Sequence, residues 1–429
     1  MLLNDLVTRF VALGSTRIFF KCLSENDNSK QQIYLGSSFE VLTLFPYKDV
    51  VAHPNVKNPN FKASIDLFWV GPDYFERAPH SQLILYPEYP EVRLSGFLRG
   101  CRSAPNEYLR PIPKDKRRGT DGRVLFFGTT ADGKTLVHLA AAGSDLANHA
   151  FSLRKPGTDE KLFIELPISG PLSNKDVLLL RLREIHQKGF VDSIRLDRTG
   201  NVVPYAARNG GGYTLEAMLG IIPNGQAAPD FMGWEVKAYS GNRITLMTPE
   251  PNGGYYGREG VAAFVRRFGR SVEGRDQLYF TGVHRFQQLH PSTGLTLTLN
   301  GYDTRKGTIS DVSGAIELVT REGEVASAWG FAHLLEHWNR KHASAVYVPY
   351  ENSRASPPKY RYLSPVLLGE RTDFAKCLAA ISKSRVVFDP GSKIDNVSTS
   401  RPRVKARSQF RITESDLPLL YESFTPVRL

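Results

Sequence analysis

The sequence predicts two domains of different class: a mostly β domain over residues 1–168, and an α/β (α+β) domain with a central mixed sheet over residues 173–429. The first observation is length, because 429 residues exceed what one hydrophobic core usually holds. The second is that strand-like runs dominate the first part, whereas strands and helices alternate in the second. The third is residues 167–175, whose Pro, Gly and Ser content is typical of a linker.

The predicted N-terminal domain is built from short strands. Turn signals such as Ala131-Asp132-Gly133 separate some of them. Two helices are predicted at 5–13 and 38–44. Seven runs rich in β-branched and aromatic residues predict strands at 17–23, 32–35, 61–70, 83–86, 123–128, 135–140 and 161–165.

The predicted C-terminal domain begins with a capped helix. Ser173 precedes a helical run over 175–188 with Asp176 in its first turn, and Gly189 ends it. Further helices are predicted at 214–220, 260–268, 332–341 and 373–384. Strands are predicted at 234–239, 243–248, 277–283, 295–300, 316–319 and 345–349. This alternation predicts a mixed sheet covered by helices.

The charge balance favours a polyanionic partner. Lys and Arg number 55 against 43 Asp and Glu, a net charge of +12, and neutralised phosphates release counterions on binding. Charge alone does not distinguish nucleic acid from an anionic membrane, but no amphipathic basic helix or apolar run of about 20 residues argues for a membrane. Three widely spaced cysteines fit a reducing compartment. We therefore expect a cytoplasmic protein without a membrane partner.

The most informative segment is Pro-Asp-Phe-Met-Gly-Trp-Glu-Val-Lys, residues 229–237. Glu235 and Lys237 are two apart and share one face of a strand. Asp230 is five residues before Glu235, and Gly233 can supply the turn that brings both carboxylates together. Two carboxylates beside an amine predict a site for Mg²⁺, which can activate water for phosphodiester hydrolysis. An ordinary ion pair between Glu235 and Lys237 is the alternative reading.

Pro-Asp followed by Glu-x-Lys resembles the PD-(D/E)XK nucleases. With Gly-Gly-Tyr-Thr-Leu-Glu-Ala-Met-Leu-Gly-Ile at 211–221, the short spacing resembles the MvaI/BcnI restriction endonucleases and, more distantly, the nickase MutH. The resemblance implies a PD-(D/E)XK core over roughly residues 175–429. It also implies Asp230 and Glu235 as metal ligands and Lys237 beside the scissile phosphate. Glu216 is a further candidate catalytic carboxylate. Its alternative is a solvated acid in a first helical turn.

A second segment, residues 401–412, carries five basic side chains and no acid in its first eleven positions. Arg and Lys can read guanine, and Gln can pair with adenine, in the major groove. The segment resembles the recognition loop in the C-terminal part of the MvaI/BcnI family. A strand that grips phosphates without reading bases is the alternative. An extended conformation would put Lys405, Arg407, Gln409 and Arg411 on one face, with Arg403 before them.

Other candidate DNA contacts are less specific. Residues 20–27 and their surroundings loosely resemble the effector-DNA-binding domain of the type IIE enzyme EcoRII, which is a β pseudobarrel. Lys116, Arg117 and Arg118 lie in a loop suited to phosphate contacts, and Arg258 follows the active strand. Solvated loops and helix faces are the alternative for these cations.

Together the residues and the resemblance imply a Mg²⁺-dependent type II restriction endonuclease that cuts specific sites in double-stranded DNA. The family implies a monomer, and the N-terminal domain suggests a second, effector DNA copy. A MutH-like strand-nicking repair endonuclease and a non-catalytic DNA-binding regulator are the alternatives. The recognised bases, the cut position and the blocking methylation do not follow from the sequence.

Overall fold

The computed structural model describes two compact units. The N-terminal unit comprises Met1–Val51 and Asn60–Val177, and the C-terminal unit comprises Ala52–Pro59 and Leu178–Leu429. The boundary expected from the sequence, between residues 168 and 173, lies a few residues before this division. The described residues are all but 26, 28–30, 111, 117–120, 155–161, 167–172, 208 and 223–229, and the side chains of 114 and 339–341 are not described.

The N-terminal unit contains a six-stranded and a five-stranded sheet. Their orders are β11-β1-β9-β10-β5-β6 and β2-β8-β7-β4-β3. Its helices are α1 (Leu3–Ala12) and α2 (Asp145–Ser152), with 3-10 turns at Phe39–Leu44 and Lys114–Lys116. The strands are β1 (Ser15–Cys22), β2 (Gln32–Gly36), β3 (Lys48–His53), β4 (Asn60–Ser64), β5 (Asp66–Val70), β6 (Phe75–Ala78), β7 (Gln82–Tyr86), β8 (Glu91–Ser95), β9 (Val124–Thr130), β10 (Lys134–Ala140) and β11 (Ile164–Leu166).

Two predictions for this unit need correction. The run 61–70, predicted as one strand, is two strands in different sheets, since β4 pairs with β7 and β5 pairs with β10. The chain changes sheets at Ile65, whose backbone N–H donates to the Ser81 carbonyl at 3.3 Å. The 38–44 helix is a 3-10 helix. The core lies between α1, α2 and the larger sheet, with Phe10, Phe20 and Phe126 fully buried.

The C-terminal unit combines helices with several sheets. Its helices are α3 (Asn174–Gln187), which begins just before the division, α4 (Gly210–Met218), α5 (Gly254–Phe268), α6 (Phe331–His342) and α7 (Phe374–Ser382), with a 3-10 turn at Glu414–Leu420. Its strands are β12 (Val191–Asp192), β13 (Ile194–Leu196), β14 (Val202–Pro204), β15 (Glu235–Tyr239), β16 (Arg243–Met247), β17 (Arg270–Val272), β18 (Arg275–Thr281), β19 (Thr296–Asn300), β20 (Tyr302–Asp303), β21 (Thr308–Ile309), β22 (Ala315–Val319), β23 (Val325–Gly330), β24 (Ser344–Asn352), β25 (Lys359–Tyr362), β26 (Val366–Thr372), β27 (Val387–Phe388), β28 (Gly391–Asp395), β29 (Arg403–Lys405), β30 (Phe410–Thr413) and β31 (Tyr421–Val427).

The largest sheet of this unit is mixed, as the alternation of strands and helices predicts. Its order is β12-β25-β24-β26-β31, and β15 pairs with β24. The β15–β24 pair is parallel, whereas β24–β26 and β26–β31 are antiparallel. The strands β15 and β16 are consecutive but enter different sheets, because β16 pairs with β30. A mixed α/β architecture is therefore confirmed.

The helix α3 is capped by its own residues and packs against this sheet. The Ser173 hydroxyl accepts from the Asp176 backbone N–H at 3.2 Å, and the Asp176 carboxylate accepts from the Ser173 N–H at 3.1 Å. This reciprocal cap starts the helix where the sequence predicts. Leu178, Leu182 and Ile185 form one apolar stripe. They pack in one core with α4 and with the apolar side chains of β15, β24 and β26.

The C-terminal unit also buries a histidine whose titration affects stability. His284 is 0% exposed, and its Nε2 lies 2.9 Å from the Thr293 hydroxyl. Burial, followed by the neighbouring His290 ring, lowers the pKa of His284 to about 4. The unfolded chain protonates this side chain near its ordinary pKa of about 6.5. Stability from neutral His284 is therefore present above that pH and is lost as pH falls towards 4.

We expect the wild-type free energy of unfolding to fall by about 2 kcal/mol more than that of His284→Gln between pH 7 and pH 5. Urea denaturation of both proteins at the two pH values measures this difference. Parallel pH profiles would contradict the assignment.

Candidate functional site

A two-residue hairpin immediately before β15 brings Asp230 opposite Glu235. Phe231 and Trp234 exchange both backbone hydrogen bonds, at 2.9 and 2.8 Å. Only Met232 and Gly233 form the turn, with φ angles of 47° and 89°, and two positive values are characteristic of a type I′ turn. One position further along the two arms, residues 230 and 235 face each other. The turn predicted at Gly233 is confirmed, and Pro229 lies outside the described residues.

The three predicted catalytic side chains lie close together around this hairpin. Lys237 Nζ donates to Glu235 Oε1 at 2.6 Å, and the Val236 backbone N–H donates to Asp230 Oδ2 at 3.0 Å. Glu235 is only 2% exposed, and the Lys237 side chain is 19% exposed. Trp234 and Val236 point into the core, as the strand alternation predicts. We call the segment 230–237 the carboxylate hairpin.

In the carboxylate hairpin, burial and neighbouring charges shift the pKa values of Asp230 and Lys237. Burial, and then the charge of Glu235, raise the pKa of Asp230 to about 6, although the Val236 N–H and Lys237 oppose this shift. Burial by itself lowers the pKa of the Lys237 amine. The charge and hydrogen bond of Glu235, with Asp230 and Glu216, outweigh burial and raise that pKa. Glu216 on α4 is thus near enough to Lys237 for its charge to raise the pKa of the amine.

The donor set of the hairpin fits a hard divalent cation. Mg²⁺ is usually held by one or two carboxylates, with water and phosphate oxygens completing its coordination. Asp230 and Glu235 are two such carboxylates. The raised pKa of Asp230 reflects burial first and repulsion by Glu235 second, and a cation between the two carboxylates would relieve that repulsion. Over the described ranges of the chain, no group of three or more His, Cys, Asp and Glu side chains is arranged to hold a metal ion.

Two of the three glycines at 210–212 allow close helix packing. They form the first turn of α4, where a side chain on Gly211 would lie 2.4 Å from the Tyr350 ring and one on Gly210 would lie 2.5 Å from the Tyr360 hydroxyl. Tyr362 donates to the Gly211 carbonyl at 2.7 Å. These contacts hold α4, and hence Glu216, against β24 and β25.

Gly211→Ala is expected to destabilise the protein by about 1–3 kcal/mol, because the added methyl group overpacks against a ring held by its neighbours. Gly212→Ala is the matched control, since nothing lies within 4 Å of its added Cβ. It should be neutral or stabilising by up to about 1 kcal/mol, as for Gly→Ala within a helix. Thermal denaturation compares the two variants. Equal shifts would show that the tyrosine contacts do not decide the effect.

A second group of candidate functional side chains lies on the sheet β17-β18-β28-β29, which we call the basic sheet. Arg270, Tyr279, Lys393 and Lys405 form one row across its four strands. Phe280 on the opposite face packs against Phe264 of α5. The next row contains Gln277, Asp395 and Arg403, and Asp395 binds Lys393 at 2.7 Å.

The basic sheet includes residues that the sequence analysis did not select. They are Gln277 and Tyr279 of β18 and Lys393 of β28, and only the pairing of these two distant strands brings β18 side chains into one row with Lys405. The alternation of polar Gln277 and Tyr279 with Leu278 and Phe280 was a usable signal for one polar face of β18.

Residues 403–411 keep one antiparallel register with residues 387–395, from the Asp395–Arg403 pair to the Val387–Arg411 pair. Between these pairs, the Gly391 N–H donates to the Arg407 carbonyl at 2.9 Å. Arg403 and Lys405 belong to β29 in the basic sheet, whereas Arg411 belongs to β30 in the sheet β16-β30-β27. Arg407 is exposed beside Gly391. Gln409 is half-buried, and its carbonyl accepts from the Asp389 N–H at 2.8 Å. Ser408, Phe410 and Ile412 are buried. The side chains of Lys405, Arg407, Gln409 and Arg411 therefore alternate with buried ones, as predicted for an extended segment.

The remaining predicted DNA contacts are scattered. The half-buried Arg411 donates to Asp389 at 2.9 Å and to the Arg243 carbonyl at 3.0 Å, which is a structural role. Arg258 is exposed on α5, and Lys116 is exposed in the N-terminal unit. Arg117 and Arg118 lie outside the described residues.

This geometry can be compared with what is known of related proteins. The model of the MvaI/BcnI restriction endonuclease family matches residues 179–421, a range that contains both the carboxylate hairpin and the basic sheet. The solved complex of restriction endonuclease MvaI with cognate DNA is 16% identical, with a TM-score of 0.45, covering 59% of this chain and 98% of that one. MvaI without DNA is 14% identical, with a TM-score of 0.33, covering 60% and 99%. The search of curated proteins found no match. In the described part of the chain, no helix is long and apolar enough to cross a membrane.

Proposed function

The chain belongs to the MvaI/BcnI restriction endonuclease family, and on that premise we propose that it is a Mg²⁺-dependent type II restriction endonuclease that hydrolyses phosphodiester bonds at specific sites in double-stranded DNA. The observation that carries this proposal is the clustering of Asp230, Glu235 and Lys237 at the carboxylate hairpin. This arrangement supports a PD-(D/E)XK active site within the matched range.

In this proposal the residues of the hairpin have different roles. Asp230 and Glu235 hold Mg²⁺, which when bound supplies positive charge next to the phosphate and lowers the pKa of water. Lys237 stays protonated at neutral pH, because its pKa is raised. Its ammonium has three N–H donors, of which one is directed at Glu235 Oε1. The others are available to orient a phosphate oxygen and to offset its developing charge. Glu216 adds negative charge that retains the proton on Lys237.

The basic sheet is proposed to hold the DNA. Arg270, Arg403 and Lys405 are exposed on one face, and the exposed Arg407 follows β29. Lysine and arginine bind phosphates, whereas Arg, Gln and Tyr side chains can also reach base edges in the major groove. The single acid among these rows, Asp395, is bound by Lys393, so the face remains strongly positive. Such a face suits a duplex lying across the strands.

Digestion of phage DNA with the purified protein and Mg²⁺, followed by sequencing of the fragment ends, tests the activity. We expect discrete fragments whose ends share one short sequence, and no products when EDTA is added. Plasmid converted only to open circles would support the strand-nicking alternative. DNA binding without cleavage and without divalent-metal affinity would support the regulator.

The N-terminal unit is proposed to bind a second DNA copy as an effector, as in type IIE enzymes. Its two sheets and the exposed Lys116, with the resemblance at residues 20–27, support this proposal. Addition of a short duplex carrying the recognised site should then accelerate cleavage of a plasmid with a single site. An unrelated duplex of equal length is the control. Simple competition by the cognate duplex would exclude an effector role.

A further inference from the structure

The turn of the carboxylate hairpin holds a residue that does not suit it. A type I′ turn needs positive φ at both central positions, for which Asn-Gly and Asp-Gly are preferred. Here the first position is Met232, with φ of 47°. A longer side chain in this left-handed region destabilises the backbone, whereas Asn and Asp tolerate it. Replacement of Met232 by Asn or Asp would therefore make the turn more stable.

Met232 differs from other residues in this conformation. The remaining non-glycine residues with positive φ in the described parts of the chain are polar or charged: Gln31, Asp49, Gln287, Arg371, Ser384 and Asn396. Met232 is the apolar exception, and 47% of it is exposed. Its two flanking aromatic residues, Phe231 and Trp234, pack into the core instead. An apolar, exposed residue thus occupies an unfavourable backbone conformation.

The position of Met232 limits what this side chain can meet. It is two residues from Asp230 and three from Glu235, so its Cα lies within roughly 7 Å and 11 Å of theirs. Base pairs repeat about every 3.4 Å along a duplex. A DNA phosphate at the carboxylate hairpin therefore has Met232 within about three base pairs. At that distance the apolar surfaces of DNA are deoxyribose rings and base faces, against which Met is among the side chains that insert.

We propose that Met232 is a positioning residue that packs against the deoxyribose and base surface next to the scissile phosphate. This inference rests on the proposed nuclease function and adds a substrate contact to it. The contact fixes the phosphate above Asp230, Glu235 and Lys237, which hold only charged groups. Retention of Met where Asn would be more stable is then explained by substrate positioning, a common reason for backbone strain at functional sites.

Three variants at this position separate substrate contact from folding. Met232→Asn relieves the backbone and removes the apolar side chain, so we expect the melting temperature to rise by about 2–4 °C and the cleavage rate with plasmid DNA to fall about tenfold or more. Met232→Gly should also cut slowly. Met232→Leu keeps an apolar side chain and should restore most of the rate. Ser384→Asn relieves a similar φ of 55° away from the hairpin and should leave cleavage unchanged.

The outcomes are decisive in both directions. A Met232→Asn protein that cuts as fast as wild type would overturn the proposal. So would one with a lower melting temperature, because Met232 would then be a packing residue.

A cleavage-independent measurement keeps this inference separate from the nuclease proposal. The chain has four methionines, so photo-methionine incorporation labels few sites. Irradiation with duplex DNA in EDTA, followed by peptide mass spectrometry, should identify the peptide containing Met232. Failure of wild type to cut any DNA would reject the nuclease proposal, whereas a missing Met232 cross-link with active enzyme would reject only the contact.

Discussion

Asp230→Asn is expected to reduce DNA cleavage by about 10³-fold or more, because it removes one of the two carboxylates proposed to hold the metal ion, while the melting temperature stays the same or rises. The second expectation follows from the raised pKa of Asp230, since burial and the Glu235 charge both disfavour its ionised form. A neutral amide still accepts the Val236 N–H bond. Single-turnover cleavage and thermal denaturation of the same preparation measure both effects.

Lys237→Ala provides the contrast for this prediction. It should also abolish cleavage, but it leaves the buried Glu235 carboxylate without the ammonium that binds it at 2.6 Å. Removal of one partner of a buried pair destabilises a protein by roughly 3–5 kcal/mol. DNA binding in EDTA should be retained by the folded fraction of both variants. Undiminished cleavage by Asp230→Asn would remove the catalytic assignment of the hairpin, whatever the stability result.

The second large effect is expected on the basic sheet. Simultaneous replacement of Arg270, Arg403 and Lys405 by Gln should weaken DNA binding by roughly a hundredfold or more at moderate salt. The slope of log affinity against log salt concentration should fall by about 2.7, since each phosphate contact contributes about 0.9. The three side chains are exposed, so the melting temperature should change little. Fluorescence anisotropy over a KCl series measures the slope.

Arg411→Ala is the matched control for this surface. Arg411 donates to Asp389 and to the Arg243 carbonyl, so its removal should lower stability and leave the salt slope unaltered. If the triple variant retained the wild-type slope, the duplex would have to lie on another face. If Arg411→Ala changed the slope, the segment 401–412 would contact DNA beyond β29.

The elements that the sequence predicted well are those encoded by neighbouring residues. The helix α3 has its cap, its apolar stripe and its terminating glycine within sixteen positions or so, and it begins where expected. The strand β15 and the pairing of Glu235 with Lys237 follow from period-two alternation. The run 61–70 was misjudged because strand-like composition does not reveal the point at which a chain leaves one sheet for another.

Local chemistry along the chain was enough to select Asp230, Glu235 and Lys237, since their types and spacing suffice to suggest a metal and a phosphate. Asp230 and Glu235 face each other because the hairpin turn has a positive φ at both of its central residues. The residue type at position 232, a methionine, does not predict such a conformation. The basic sheet could not be predicted from the sequence, for a related reason. The row of residues 270 and 279 joins the row of 393 and 405 only through the pairing of the distant strands β18 and β28, whose register is set by burial of Phe280 and Ile394 on the other face.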